Sequence, residues 1–164
     1  MDRERSSQRG RGLPTKQQLR VWRSYIETAE ALRSRLASRM QSDSALSLGD
    51  YQVLLALNEA VGHRLWSSEL AARIGWERSR LSHHLGRMER RGLIGREECA
   101  EDSRGAEVVL TSAGAEAFRR GSVPHLEAVQ DLFVSALSSE QLLQLEALTA
   151  ALRAQLAPPS PLRE

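Results

Sequence analysis

The apolar positions divide the chain into helical and extended stretches. From Thr15 to about Gln41, Leu19, Trp22, Ile26, Ala29, Arg33, Leu36 and Met40 recur at alternating spacings of three and four. That is a seam of two residues per heptad, with Arg33 as its one polar member. A helix of roughly 27 residues spans about 40 Å, too long for a small domain to cover. The seam is therefore expected to pack on a second chain. Pro14 and Thr15 mark its start, the threonine as cap. Ser47 opens another helix, with Asp50 as an imperfect capping-box partner. Leu48, Tyr51, Leu54, Leu55 and Leu57 supply its buried face through Ala60, and Gly62 breaks it. Leu65-Trp66 reads as a short strand. Ser67 is expected to cap a short helix over 68–74, followed by a turn at Gly75-Trp76. A further helix is predicted from about Glu77 to Arg91, stopped by Gly92 in the left-handed conformation that glycine favours.

Residues 93–98 and 107–111 read as two strands around a polar loop, a β-hairpin too long for a tight turn. Thr111 caps a helix starting near Ser112. Gly121 and Pro124 predict a kink or restart before it resumes through Leu137. Ser138 with Gln141 forms a capping box for a last helix, 139–156, striped by Leu142, Leu145, Leu148, Leu152 and Leu156. Pro158, Pro159 and Pro161 end regular structure. Residues 1–14, rich in Arg, Ser, Gln and Gly, read as a disordered arm, and 158–164 as a disordered tail. The organisation expected is a long helix over 15–43, a mixed module over 44–111 and two helices over 112–157.

Composition narrows the class. The 164 residues suffice for a real core. No run of about 18 apolar residues is present, so no membrane span is expected. No apolar segment follows the N-terminal arginines, so no secretory signal is expected. The single cysteine, Cys99, cannot form an internal disulfide, which fits a reducing, cytoplasmic setting. Acidic Glu97, Glu98 and Glu101 around it disfavour a reactive thiolate, so Cys99 reads as a half-buried strand residue.

The net charge of +2 averages over unlike parts. Residues 1–40 carry 10 basic and 4 acidic side chains, and residues 78–96 carry six arginines against one glutamate. Residues 41–62 and 106–164 are each net −3. Two local basic clusters inside a nearly neutral chain point to an anionic partner. Of the 23 basic residues, 22 are arginine, an excess that high-GC coding also favours; the planar fork of arginine nevertheless suits base edges better than lysine would.

The informative segment is 67–91. Two short helices joined by a tight turn require a small residue where they cross, a residue tolerant of positive φ in the turn, and an aliphatic residue pointing back. Ala71, Gly75 and Leu81 stand at those spacings, the helix-turn-helix signature. The second helix buries Leu81, Leu85 and Met88. Its opposite face then shows Arg78, Ser79, Ser82, His83, Gly86 and Arg87, with Arg80 flanking and no carboxylate after Glu77. Arginine and short hydroxyl side chains are what reach base edges and phosphates in a major groove. His84, rotated about 100° from His83, is expected at the core edge. Arg90, Arg91 and Arg96 are open between phosphate contact and local ion pairs. The hairpin that follows carries Arg104 at its tip, suited to a narrow minor groove, with Asp102 placed to hold that guanidinium.

These residues resemble the MarR (multiple antibiotic resistance regulator) family of winged helix-turn-helix transcription factors. The matching stretches are Ser67-Ser68-Glu69-Leu70-Ala71, Arg78-Ser79-Arg80-Leu81-Ser82 and Glu89-Arg90-Arg91-Gly92-Leu93-Ile94. Asp102-Ser103-Arg104-Gly105, Leu110-Thr111-Ser112-Ala113-Gly114 and Leu137-Ser138-Ser139-Glu140-Gln141 also match. The resemblance runs from about residue 15 to 156. It implies a mainly α fold with a small β-hairpin wing and long N- and C-terminal dimerisation helices. It implies a homodimer on a pseudo-palindromic operator in double-stranded DNA, with Asp102 and Arg104 as the wing pair. It further implies release by a small aromatic or phenolic effector. His83-His84 departs from the commoner Arg-apolar pair, so base preference cannot be transferred.

Other readings have less support. Adjacent helical histidines diverge, so no metal site is expected. Trp22, Tyr25, Trp66 and Trp76 read as core more readily than as an effector pocket. There is no Gly-rich phosphate loop and no nucleophile–base pair, so no enzyme and no cofactor is expected. A nucleoid-type, non-specific DNA binder and a protein-interaction winged helix stay as alternatives.

Overall fold

The computed structural model describes residues 12–97 and 105–156. Among these residues six α-helices and three strands follow one another as α1 (Lys16–Ser44), α2 (Leu48–Glu59), β1 (Arg64–Trp66), α3 (Ser67–Ile74), α4 (Arg78–Arg90), β2 (Ile94–Glu97), β3 (Glu107–Leu110), α5 (Ser112–Leu132) and α6 (Ser139–Leu156). The chain divides into two units, one ending at Ser34 and one beginning at Arg35.

The first unit is the N-terminal part of α1. Thr15 Oγ1 accepts from the Gln18 N–H at 3.2 Å, and Gln18 Oε1 accepts from the Thr15 N–H at 2.8 Å. That completes a capping box, which satisfies two of the helix's orphan donors. Of the predicted seam, Leu19, Trp22, Ile26, Ala29 and Arg33 are all exposed.

The second unit holds the core. Met40, Leu46, Leu54, Leu57, Leu70, Leu81, Leu85, Met88 and Val108 are its largest fully buried side chains, besides Val53. Ser47 and Asp50 form a complete capping box, better than the imperfect one expected from the sequence. The sheet has the order β1-β3-β2, antiparallel throughout. Arg64 faces Val109 across β1–β3, and Arg96 faces Val108 across β2–β3. The expected hairpin therefore gains β1 as a third strand, and an Arg64–Glu107 ion pair at 3.1 Å spans that added edge.

Three local expectations are corrected. Ser67 does not cap α3: it is the first helical residue, and Trp66 holds the cap position without a side-chain bond. The Ser67 N–H instead donates to the Ala106 carbonyl at 2.9 Å, tying α3 to the sheet. Glu77 is the N-cap of α4, not its first turn.

The third correction concerns α5, which runs unbroken through Gly121 and Pro124 and ends at Leu132, short of Leu137. An internal proline costs about 3 kcal/mol. Here Tyr51 holds both sides of it, with ring centroids 5.3 Å from Phe118 and 4.4 Å from His125. Gly121 is buried where a Cβ would lie 3.0 Å from Leu46. Packing on α2 thus keeps the helix continuous. Its end comes early because Phe133 leaves the helical region and a 3₁₀ turn over Val134–Ala136 delivers Leu137 extended. Ser138 then caps α6 through Gln141.

Candidate nucleic-acid interface

The helix pair α3–α4 is built as the spacing predicted. Ala71 and Leu81 are buried. Gly75 is left-handed (φ 68°), and its N–H reaches the Ala71 and Ala72 carbonyls. Trp76 donates its N–H to the Ala71 carbonyl at 2.9 Å, which closes the turn. At the far end Gly92 is left-handed (φ 72°), and Leu93 N–H bonds the Met88 carbonyl at 3.0 Å. Both ends of α4 are therefore fixed by backbone geometry.

Helix α4 is two-faced. Leu81, His84, Leu85 and Met88 are buried, whereas Arg78, Ser79, Arg80, Ser82, His83 and Arg87 are exposed. The structure thus gathers all six candidate residues of this helix on its exposed side. Asp102, Arg104 and Cys99 lie outside the described residues. The exposed group contains three guanidinium groups and no carboxylate, so it presents donors to an anion.

Two of these arginines are held by neighbours. Arg80 stacks over the Trp76 ring, 4.1 Å from its centroid, a cation–π contact. Arg87 Nη2 donates to His84 Nδ1 at 2.8 Å. Trp76 and the His84 ring are perpendicular, with centroids 5.1 Å apart. On its other side His84 places Nε2 3.0 Å from Asp50 Oδ1, ion-pair distance but off the line of a straight hydrogen bond.

Asp50 is the centre beneath this surface. It is buried, accepts the Ser47 N–H at 2.9 Å and pairs with Arg91 Nη1 at 2.7 Å. Burial pushes its carboxyl up, but the close His84 Nε2, the bonds from Arg91 and the Ser47 backbone and the Arg91 charge together outweigh that. The carboxyl is held well below the usual range, so it is an anion at neutral pH. Gly49 completes the packing: a Cβ there would lie 2.8 Å from the Trp76 ring and 3.0 Å from His84.

The remaining basic residues are used internally. Arg91 Nη2 also donates to the Ala45 carbonyl at 3.2 Å. Arg96 forms a fork on Glu89, with Nε at 2.8 Å and Nη2 at 2.5 Å. Arg90 bonds back to the Gly86 carbonyl at 3.2 Å. The local ion pairs left open by the sequence are thus present for Arg91 and Arg96.

The Asp50–His84–Arg87 chain was not foreseen. One half was accessible, since residues 84 and 87 are i, i+3 neighbours on a helix. The other half was not, because only the α2–α4 packing brings Asp50 to His84. Trp76 was read as core, and it is half-buried beside the arginine face. Trp22 and Tyr25 are exposed. A cleft of about 290 Å³ between α2 and α3 is lined by Gln52, Leu55, Ala56, Glu59, Arg73 and Ile74, with none of the four candidate aromatics. Among the described residues no helix is long and apolar enough to cross a membrane.

Comparison with known proteins places this geometry. Residues 46–105 match the model of the MarR family. The transcriptional repressor MprA of Escherichia coli K12 is 30% identical over 138 residues, covering 77% of this chain and 78% of that protein. The structure of Sco3205, a MarR family transcriptional regulator from Streptomyces coelicolor solved in complex with DNA, is 34% identical. It covers 93% of this chain and 96% of that one, with a TM-score of 0.83. AbsC, another MarR family regulator from Streptomyces coelicolor, is 32% identical, covers 88% and 97%, and has a TM-score of 0.79.

Proposed function

The chain belongs to the MarR family of transcriptional regulators, and we propose that it is a homodimeric repressor of a pseudo-palindromic operator in double-stranded DNA. One observation carries the reading. The buried face of α4 seats it in the core while its exposed face offers Arg78, Arg80 and Arg87 with Ser79, Ser82 and His83 and no carboxylate. Such a face suits a major groove, where arginine takes guanine edges or phosphates and short hydroxyls fill between. Asp102 and Arg104 are assigned to the wing, reaching the neighbouring minor groove. The Sco3205 structure, similar over nearly its whole length, was solved with DNA.

The dimer is supported by apolar side chains that a single chain leaves open. In α1 these include Leu19, Trp22 and Ile26, and in α6 Leu148, Leu152 and Leu156. A second copy is the occupant that fits a self-complementary, two-fold assembly. It would set two α4 helices about 34 Å apart, one turn of duplex. In this assignment 44–111 is the DNA-binding module, and 15–43 and 112–157 are the dimerisation helices. Release by a small aromatic or phenolic molecule is supported by family membership. The protein acts in the cytoplasm as a binding protein without catalytic chemistry.

The test is recovery of genomic fragments retained by the purified protein, sequenced with and without added phenolic compounds. A shared inverted repeat, lost when the compound is added, is the expected result. Retention of fragments with no common sequence would favour the nucleoid-type alternative.

A further inference from the structure

The contact with Arg87 fixes which nitrogen of His84 carries the lone pair. A guanidinium has donors only, so the 2.8 Å contact from Arg87 Nη2 requires a lone pair on His84 Nδ1. The ring proton is then on Nε2, which lies 3.0 Å from the Asp50 carboxylate, a close electrostatic contact rather than a straight hydrogen bond. Asp50 is itself anchored by Ser47 and Arg91. The imidazole is thereby held in one orientation and one tautomer, the usual effect of a carboxylate behind a histidine. Its third neighbour is Trp76, set perpendicular to it with centroids 5.1 Å apart, and the Trp76 face carries Arg80. A histidine serving only as core filling would need no contact with an exposed arginine. This one is buried at 7% exposure and still reaches one directly and another through a single ring.

We propose that His84 is a positioning residue for the DNA-reading face: as the Nε2–H tautomer braced by Asp50, it sets the pose of Arg87 through Nδ1 and of Arg80 through Trp76. One N–H of Arg87 is spent on His84, and the rest of the fork stays available to phosphate oxygens or a guanine edge. A long side chain fixed before contact loses less freedom on binding, so the brace raises affinity without touching DNA. The inference rests on α4 being the reading helix.

The test uses the full-length protein and the duplex it selects best from a randomised pool, with affinity read by fluorescence anisotropy. R87A should weaken binding about tenfold or more. H84N places an amide oxygen near the Nδ1 position and should keep most of the affinity. H84Q places its amide near the Nε2 position, removes the acceptor for Arg87, and should lose nearly as much as R87A. Adding R87A to H84Q should then cost less than about twofold further, the scatter of non-interacting sites. If the two losses multiply instead, His84 does not act through Arg87 and the proposal fails. R78A separates the two layers of the argument. If R87A is neutral while R78A weakens binding, the proposal fails and the reading helix stands. If both are neutral, the reading of α4 itself fails. Nitrogen NMR of the His84 imidazole in the unmodified protein is a check that survives any misfolded variant. Protonated Nε2 with bare Nδ1 is expected near neutral pH, and the opposite tautomer overturns the proposal.

Discussion

Arg91 Nη1 lies 2.7 Å from Asp50 Oδ2, so the residue just past α4 is tied to the first turn of α2. The carboxylate is buried and the guanidinium is partly exposed, which makes Asp50 the member whose loss leaves unpaired groups behind. D50N should destabilise the protein by about 1.5–3 kcal/mol at neutral pH, the scale of hydrogen bonds to a charged group. Urea unfolding at about pH 7 checks this.

The same residue sets an acid dependence. The folded-state pKa of Asp50 lies below its ordinary value of 3.8. The unfolded chain therefore binds the proton first as pH falls. The stabilisation is complete above 3.8 and is lost progressively below it. Wild type and D50N should differ most near neutrality and converge toward about pH 2. A gap that stays constant down to that pH would mean the carboxylate is not the stabilising group.

Gly49 sets two effects against each other. Replacing a helical glycine by alanine gains up to about 1 kcal/mol in propensity. Here the new Cβ would sit 2.8 Å from the Trp76 ring and 3.0 Å from His84. Overpacking of that kind costs about 1–3 kcal/mol. G49A should therefore lower the thermal midpoint and weaken DNA binding together, because Trp76 carries Arg80. Improved stability with unchanged binding would show that the ring moves freely.

The apolar face of α6 predicts an association defect. Leu148 and Leu152 are 63% and 49% exposed in the single chain. Burying a leucine yields about 1.5–3 kcal/mol, and a two-fold interface counts each change twice. L148E and L152E should each raise the dimer dissociation constant by about a hundredfold or more, seen by sedimentation or light scattering.

Arg78 is exposed in the first turn of α4, a place that suits a phosphate. R78A should weaken binding evenly across sequences and lower the slope of log K against log salt by about one per reading helix. A selective loss at one base position would instead mark Arg78 as a base reader.

Much of this was legible because it is local. The turn at Gly75 and the stop at Gly92 each need positive φ, and glycine is the residue that supplies it. The capping boxes at Ser47 and Ser138 follow from residues three apart. What escaped depends on packing between elements. Pro124 reads as a break, yet Tyr51 on α2 holds the helix on both sides of it. Ser67 has a capping residue's chemistry, but it is itself the first residue of α3, and its N–H is committed to Ala106, just before β3. His84 stands at the core edge as its spacing predicts, and its contact with Arg87 follows from the i, i+3 spacing; Asp50 is not legible in the same way because it arrives from another helix. The arginine face of α4 needed only the periodicity of Leu81, Leu85 and Met88.

The central claim is that the exposed face of α4 reads DNA sequence in a dimer. The most direct measurement is competition between the duplex the protein selects and a scrambled duplex of equal length and composition, at physiological salt. The account predicts a preference of about a thousandfold or more, with one dimer bound per selected duplex. Equal affinity for the two would contradict it.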